Sequence, residues 1–321
     1  MNAPRPRLLQ MLRLTPALEA RLNAAYEVVH LPPAAEREAF LAAQGASFDG
    51  VVTSAAHGVD PATLDRLPKV RIVSSFGVGL DKFDLADAAR RGIVIGYTPD
   101  VLNDCVADTA FALMLAVARG VGAAERFVRR GDWEGPPSAA RFPLGRKVSG
   151  AKLGILGLGR IGRTVARRAS GFDMEVRYHN RRPVPDVPWA HEPSLKALAA
   201  WCDYLVVIAA GGAETRHLVN AEILDALGPR GFLVNVARGS VVDEAELVAA
   251  LQTGRIAGAG LDVFEDEPRV PHALFTLDNV VLLPHIASGT VETRQAMGDR
   301  VADNLDAFFR DGSLVSAAPL A

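Results

Sequence analysis

The sequence predicts an α/β protein of two domains, with parallel sheets covered by helices on both faces. Three observations lead there. The chain has 321 residues, and one domain usually takes about 100–200. Short β-branched runs alternate with helix-length stretches along most of the chain, the pattern of parallel strands joined by crossover helices. One strand-to-helix junction, Gly157 to Gly162, carries G-x-G-x-x-G.

Taken in order, the segment through Leu22 is rich in leucine and basic residues but has no unbroken apolar run of signal-peptide length, so no export signal is expected. Strands are expected at 49–53, 71–74 and 93–95, with helices at 35–43 and 85–90 between them. Residues 101–119 form a strong helical pattern, capped by Asp100 or Asn103 and ended by Gly120. After Asp108 it is apolar on nearly every side, so the helix should be buried, inside a domain junction or against another subunit. Its most apolar part, 109–118, is about half of the ~20 residues a membrane helix needs. The Gly- and Pro-rich stretch 131–150 reads as a loop arm. A second strand series follows at 152–156, 174–179, 204–208, 231–236, 258–263 and 280–283, then a helix over 291–309 and a surface tail.

Composition narrows the function classes. Hydrophobic residues at 49% and charged residues at 22% exclude a disordered chain. A formal net charge of -2 gives no general attraction for nucleic acid, so an anionic ligand must be held by a few placed groups. Two cysteines, Cys105 and Cys202, exclude a disulfide scaffold and a cysteine-based metal site. They read as reduced thiols of a cytoplasmic protein with no membrane partner.

The glycine motif points to a dinucleotide. Gly157 permits the tight turn, Gly159 lets backbone approach a pyrophosphate, and Gly162 lets the helix pack close to the strand. The helix start at Arg160 and Ile161 then offers free N–H groups to the phosphates. Chains that choose NAD place a carboxylate at the end of the next strand. Here that position reads Asn180-Arg181-Arg182. Asn180 can bond a ribose hydroxyl, and two guanidinium groups can grip a 2′-phosphate. The cofactor expected is therefore NADP, with NADPH preferred over NADH.

Three more segments end strands and carry chemistry: Val236-Ala237-Arg238-Gly239, Asp262 through Glu267, and Pro284-His285. The carboxyl edge of a parallel sheet is where such folds bind ligands. With these segments, the chain resembles the D-isomer-specific 2-hydroxyacid dehydrogenases through nearly its whole length. The segments carrying the resemblance are Ser75–Asp81, Val106–Ala110, Gly157–Gly162, Val236–Gly239, Leu261–Phe264 with Glu267-Pro268, and Pro284–Ala287. Asn180-Arg181-Arg182 narrows it to the NADPH-dependent glyoxylate/hydroxypyruvate reductases and their aryl-pyruvate relatives.

The resemblance implies two doubly wound domains. A flavodoxin-like substrate domain takes 1–98 and 287–321, and a Rossmann dinucleotide domain takes 99–286. The active site is expected in the cleft, and the buried helix 101–119 with an arm over 120–145 implies a homodimer. Arg238 would hold a 2-keto acid, His285 would be the acid–base group, and Glu267 would orient and charge it. Gly77, Val78 and Gly79 would offer backbone N–H groups to the substrate carboxylate. Ala209, Thr215, Val236 and Ala237 would line the cofactor. Asp262 either contacts its nicotinamide side or caps the strand, and Thr109 either touches that region or packs the helix. Trp133 either reaches a neighbouring subunit's pocket or anchors the arm. One departure stands out. The family's Pro-Leu-Thr-Pro-type loop is replaced here by Ala209 through Thr215. The implied reaction is NADPH-dependent reduction of glyoxylate or hydroxypyruvate. Alternatives are an aryl-pyruvate or 2-ketogluconate-type reductase, or a non-catalytic dinucleotide-sensing corepressor.

Overall fold

Every pair of named strands among the described residues is parallel, and strand order separates two sheets. The computed structural model, which describes residues 5–134 and 142–319, divides the chain into two compact units. One is Met1–Leu102 with Gly289–Ala321, the other Asn103–Ser288.

The first unit carries β1 (Arg7–Gln10), β2 (Glu27–His30), β3 (Gly50–Ser54), β4 (Ile72–Phe76) and β5 (Val94–Gly96). Their order is β2-β1-β3-β4-β5, the flavodoxin-like arrangement. Helices α1 (Pro16–Ala25), α2 (Ala34–Gln44), α3 (Pro61–Asp65) and α4 (Leu85–Arg90) connect them. Their starts follow local chemistry. Thr15 caps α1 with proline at its first turn, and Asp60 and Asp84 cap α3 and α4. β3 and β4 are buried along their whole length, as expected for central parallel strands. Leu9, Phe48, Val51 and Val73 form the core on one side. The C-terminal helix Val291–Asp311 packs on the sheet, where Ser74 Oγ donates to the Val301 carbonyl at 3.0 Å. β1 and β2 went unread in the sequence. Each is four residues long, and β2 is a half-exposed edge strand without apolar alternation.

The second unit carries β6 (Lys152–Leu156), β7 (Glu175–His179), β8 (Ala190–His191), β9 (Tyr204–Val207), β10 (Phe232–Asn235), β11 (Gly258–Leu261) and β12 (Val280–Leu282). The order β12-β11-β10-β9-β6-β7-β8 is the Rossmann arrangement with one strand added at the edge. Strand order reverses beside β6, so the carboxyl ends of β6 and β9 frame the crevice where such sheets take ligands. Helices α5 (Asn103–Arg119), α6 (Val121–Arg129), α7 (Arg160–Ala169), α8 (Leu195–Trp201), α9 (Ala221–Leu227) and α10 (Glu244–Gln252) complete it.

Two expectations need correction. The apolar helix α5 buries Val106, Ala110, Leu113, Met114 and Val117 within its own unit. It lies so close on β11 that a Cβ at Gly260 would stand 2.8 Å from Leu113 Cβ. Its apolarity is therefore core, and carries no implication of a second subunit. The stretch after Gly120 is not all arm. Gly120 adopts φ 60°, and the chain resumes as α6, bent 61° from α5. Residues 135–141 of the expected arm lie outside the described residues. Among the described residues no single helix is long and apolar enough to cross a membrane.

Candidate active site

The site assembles at the carboxyl edge of the second unit's sheet. β6 ends in the turn at Gly157, which has φ 103°, a conformation that suits glycine. A Cβ there would meet Ala209 N at 2.7 Å, and a Cβ at Gly162 would meet the Gly157 carbonyl at 2.3 Å. Turn, helix and the β9 loop thus lock together only without side chains. Gly159 differs, because a Cβ there would meet nothing within 4 Å. Gly159 is the N-cap of α7 and offers no side chain to its N–H groups. The open space and the uncapped helix start are the features a pyrophosphate requires. Arg160 is exposed and Ile161 half-buried at that start. The residues present therefore fit a dinucleotide.

Asn180 follows β7, and its Oδ1 accepts from Leu158 N at 2.7 Å. That oxygen holds the glycine loop, a role the ribose assignment did not foresee. Arg181 and Arg182 are exposed beyond it. Arg181 forms an ion pair with Glu214. Thr215 Oγ1 donates to the Ala210 carbonyl at 2.7 Å and closes the β9 loop on itself.

Arg238 leaves β10 in a turn held by Asn235, which is 1% exposed. Asn235 Nδ2 donates to the Arg238 carbonyl at 3.0 Å, and its Oδ1 accepts from Ala237 N at 3.0 Å. Arg238 Nη1 donates to the Ala237 carbonyl at 2.8 Å, and Val236 is buried beside it. Asn235 positions Arg238 and was missed in the sequence. A buried asparagine at a strand end was the available signal. Gly239 packs against the next loop without space for a side chain, since a Cβ would stand 1.8 Å from the Phe264 carbonyl carbon.

His285 and Glu267 come together as expected, with Nδ1 and Oε2 2.7 Å apart. Glu267 Oε1 also accepts from Phe264 N at 3.0 Å. Burial alone would raise the Glu267 carboxyl. The His285 bond and charge, the Phe264 N–H and the Arg238 charge outweigh it, and the group sits below its ordinary 4.5. Glu267 is thus an anion at neutral pH, which makes His285 Nδ1 the donor. The stability it adds is present above its unfolded value and lost as pH falls through the lower folded value. The side chains of His285 and Glu267 keep 40% and 32% of their exposure, so the imidazole remains reachable.

Asp262 makes the contacts of a strand-end capping acid. It is 0% exposed. Its two carboxylate oxygens accept from Ile286 N at 2.7 Å and Ala287 N at 2.9 Å. Its carbonyl accepts from His285 N at 2.8 Å. Burial raises its carboxyl above the ordinary 3.8 despite those bonds. His285 has φ 55°, a left-handed conformation that costs a histidine free energy and persists only where the surroundings over-determine it. Asp262 supplies that determination. Thr109 likewise spends its hydroxyl inside the unit, donating to the Cys105 carbonyl at 3.1 Å and the Ala287 carbonyl at 3.4 Å.

Gly77, Val78 and Gly79 belong to the first unit, just past β4. Gly77 N donates to Thr98 Oγ1 at 3.1 Å, and a Cβ at Gly77 would stand 2.5 Å from Ala55 Cβ. Among the described residues no group of three or more His, Cys, Asp or Glu is arranged to hold a metal.

Known proteins bear on this geometry. Hydroxyphenylpyruvate reductase of Plectranthus scutellarioides is 46% identical over 309 residues, covering 96% of this chain and 97% of that protein. The 2-ketogluconate reductase of Gluconobacter oxydans is 44% identical, covering 97% and 98%. The structure of NADPH-dependent glyoxylate/hydroxypyruvate reductase from Sinorhizobium meliloti, in complex with NADP and malonate, superposes with a TM-score of 0.88 at 43% identity, covering 98% and 97%. Residues 111–287 match the family described as D-isomer specific 2-hydroxyacid dehydrogenase, NAD binding domain. A Rossmann sheet with an uncapped glycine turn, an arginine and a carboxylate–imidazole pair on its carboxyl edge, and relatives matched end to end agree: this chain belongs to the D-isomer-specific 2-hydroxyacid dehydrogenase family.

Proposed function

We propose that this chain reduces a small 2-keto acid to the D-2-hydroxy acid with NADPH, with glyoxylate or hydroxypyruvate as the leading substrates. The observation that carries the reading is the Glu267–His285 pair at 2.7 Å, past β11 and β12, the two strands that follow β10 and its Arg238 in the sheet order. Gly157, Gly159, Gly162 and the start of α7 would hold the pyrophosphate. Arg181 and Arg182 would hold the 2′-phosphate. When bound, the nicotinamide supplies a hydride to the keto carbon.

The chain's own groups do the rest. Arg238 binds the substrate carboxylate through a planar fork of donors. His285 keeps Nδ1–H on the Glu267 anion and gives the Nε2 proton to the keto oxygen as it gains charge. In the oxidative direction Nε2 takes the hydroxyl proton back. Asp262 and Asn235 position His285 and Arg238 without touching substrate. Support for NADPH comes from the absence of a carboxylate at position 180 and from the NADP-bound relative.

The test is NADPH oxidation followed by absorbance with glyoxylate, hydroxypyruvate and phenylpyruvate, repeated with NADH. Fast turnover with NADPH and slow turnover with NADH is expected. Equal rates keep the reductase and remove the 2′-phosphate assignment. No turnover with any acid removes the reading.

Exposed apolar side chains at Val121, Val128, Trp133 and Leu144 support a homodimer formed through this segment. Light scattering should then return twice the 34.1 kDa chain mass, and a single chain mass would refute it.

A further inference from the structure

The Arg181–Glu214 ion pair has a placement that gives it a role. Arg181 stands just past β7, and Glu214 lies in the helical turn Ala213–Thr215 past β9. β6 runs between β7 and β9, so the pair joins two loops that flank the strand bearing the glycine turn. Each loop also touches that turn. Asn180 Oδ1 accepts from Leu158 N at 2.7 Å, and the chain at Ala209 stands where a Cβ on Gly157 would fall. Together the contacts form a ring around the carboxyl end of β6, the end that faces the phosphates in this fold.

Both partners are open to water, with Arg181 85% and Glu214 75% exposed. An ion pair so exposed holds weakly. A phosphate offers more charge and more acceptor oxygens to a guanidinium than a carboxylate does, and takes it bidentately. The same arginine therefore has two anions competing for it, one resident and one arriving with the ligand.

We propose that Glu214 is a specificity-determining residue for the cofactor. It occupies Arg181 until a 2′-phosphate displaces it, and so holds NADPH affinity below what Arg181 and Arg182 alone would provide. With NADH no 2′-phosphate competes, and the pair stays closed as a brace between the two loops. The inference rests on the assignment of Arg181 and Arg182 to the 2′-phosphate.

Calorimetric binding of NADPH and NADH to the full chain tests it, using wild type, Glu214→Gln, Arg181→Gln and the double variant. Glu214→Gln is expected to tighten NADPH by about threefold, the scale of a surface ion pair, and to alter NADH less, with the melting temperature kept. Arg181→Gln should weaken NADPH by about tenfold, and in its presence the Glu214 substitution should have no further effect. If wild type prefers NADPH and Glu214→Gln leaves the NADPH-to-NADH ratio unchanged, the inference is overturned and the cofactor reading stands. If wild type shows no preference and Glu214→Gln creates one, the inference and the arginine assignment stand and the wild-type preference for NADPH falls. No preference in either protein overturns both.

Discussion

Alanine at position 285 is expected to lower kcat for 2-keto acid reduction by about 10²–10⁴-fold, the range a positioned general acid supplies. The fold should survive the change. The turn that carries His285 is tied through backbone N–H groups of 285, 286 and 287 to Asp262, and none of those bonds uses the imidazole. Dinucleotide binding should likewise persist, because the glycine turn and α7 lie elsewhere on the sheet edge. Steady-state kinetics with a binding measurement beside it decides the matter. A kcat within tenfold of wild type would remove His285 from the chemistry. Glu267→Gln acts through the same ring by removing the anion that accepts from Nδ1 at 2.7 Å, and should lower kcat while leaving dinucleotide binding in place.

The second large effect is expected at a residue with no chemistry. Gly239→Ala sets a methyl group 1.8 Å from the Phe264 carbonyl carbon, 2.1 Å from its oxygen and 2.2 Å from Glu265 N. All three are backbone atoms, so no side chain can turn aside. The loop carrying Glu267 must move away from the turn carrying Arg238. The cost should exceed about 3 kcal/mol, above typical overpacking, and lower the melting temperature by about 10 °C. Because the displaced loops hold two groups of the site, kcat/KM should fall further than stability alone explains. Gly171→Ala is the control, since its added Cβ meets nothing within 4 Å. A Gly239→Ala protein that melts with the control would refute the packing argument.

Much of this is legible in the amino-acid sequence, for identifiable reasons. The second sheet reads well because its strands are buried and β-branched between turn residues, and because Gly157 to Gly162 marks the switch point. Arg238, Glu267 and His285 each end or follow a strand, so chain position alone sends them to one edge. What stayed hidden depends on partners. β8 has two residues and only edge pairing, which leaves no periodicity to read. α6 is only nine residues long, is set off by Gly120 and Gly131, and buries no residue, so no core contact singles it out. Asp262 is recognisable as a strand-end acid, but its two bonds to 286 and 287 arise only once β11 and β12 lie side by side. The Arg181–Glu214 pair spans two strands across a third and has no local sequence signature.

The order of functions along the chain has a consequence for descent. Residues that would choose the dinucleotide fall between 157 and 215, and those that would move protons, with the arginine that would hold the acid, fall between 238 and 285, apart from Gly77–Gly79 of the first unit. Helix α9, at Ala221–Leu227, separates them. One crossover within that helix would exchange a complete acid–base set between two relatives while leaving phosphate discrimination untouched. On the proposed assignments, coenzyme preference and acid–base chemistry would be heritable as separate blocks, and a lineage could change one without rebuilding the other.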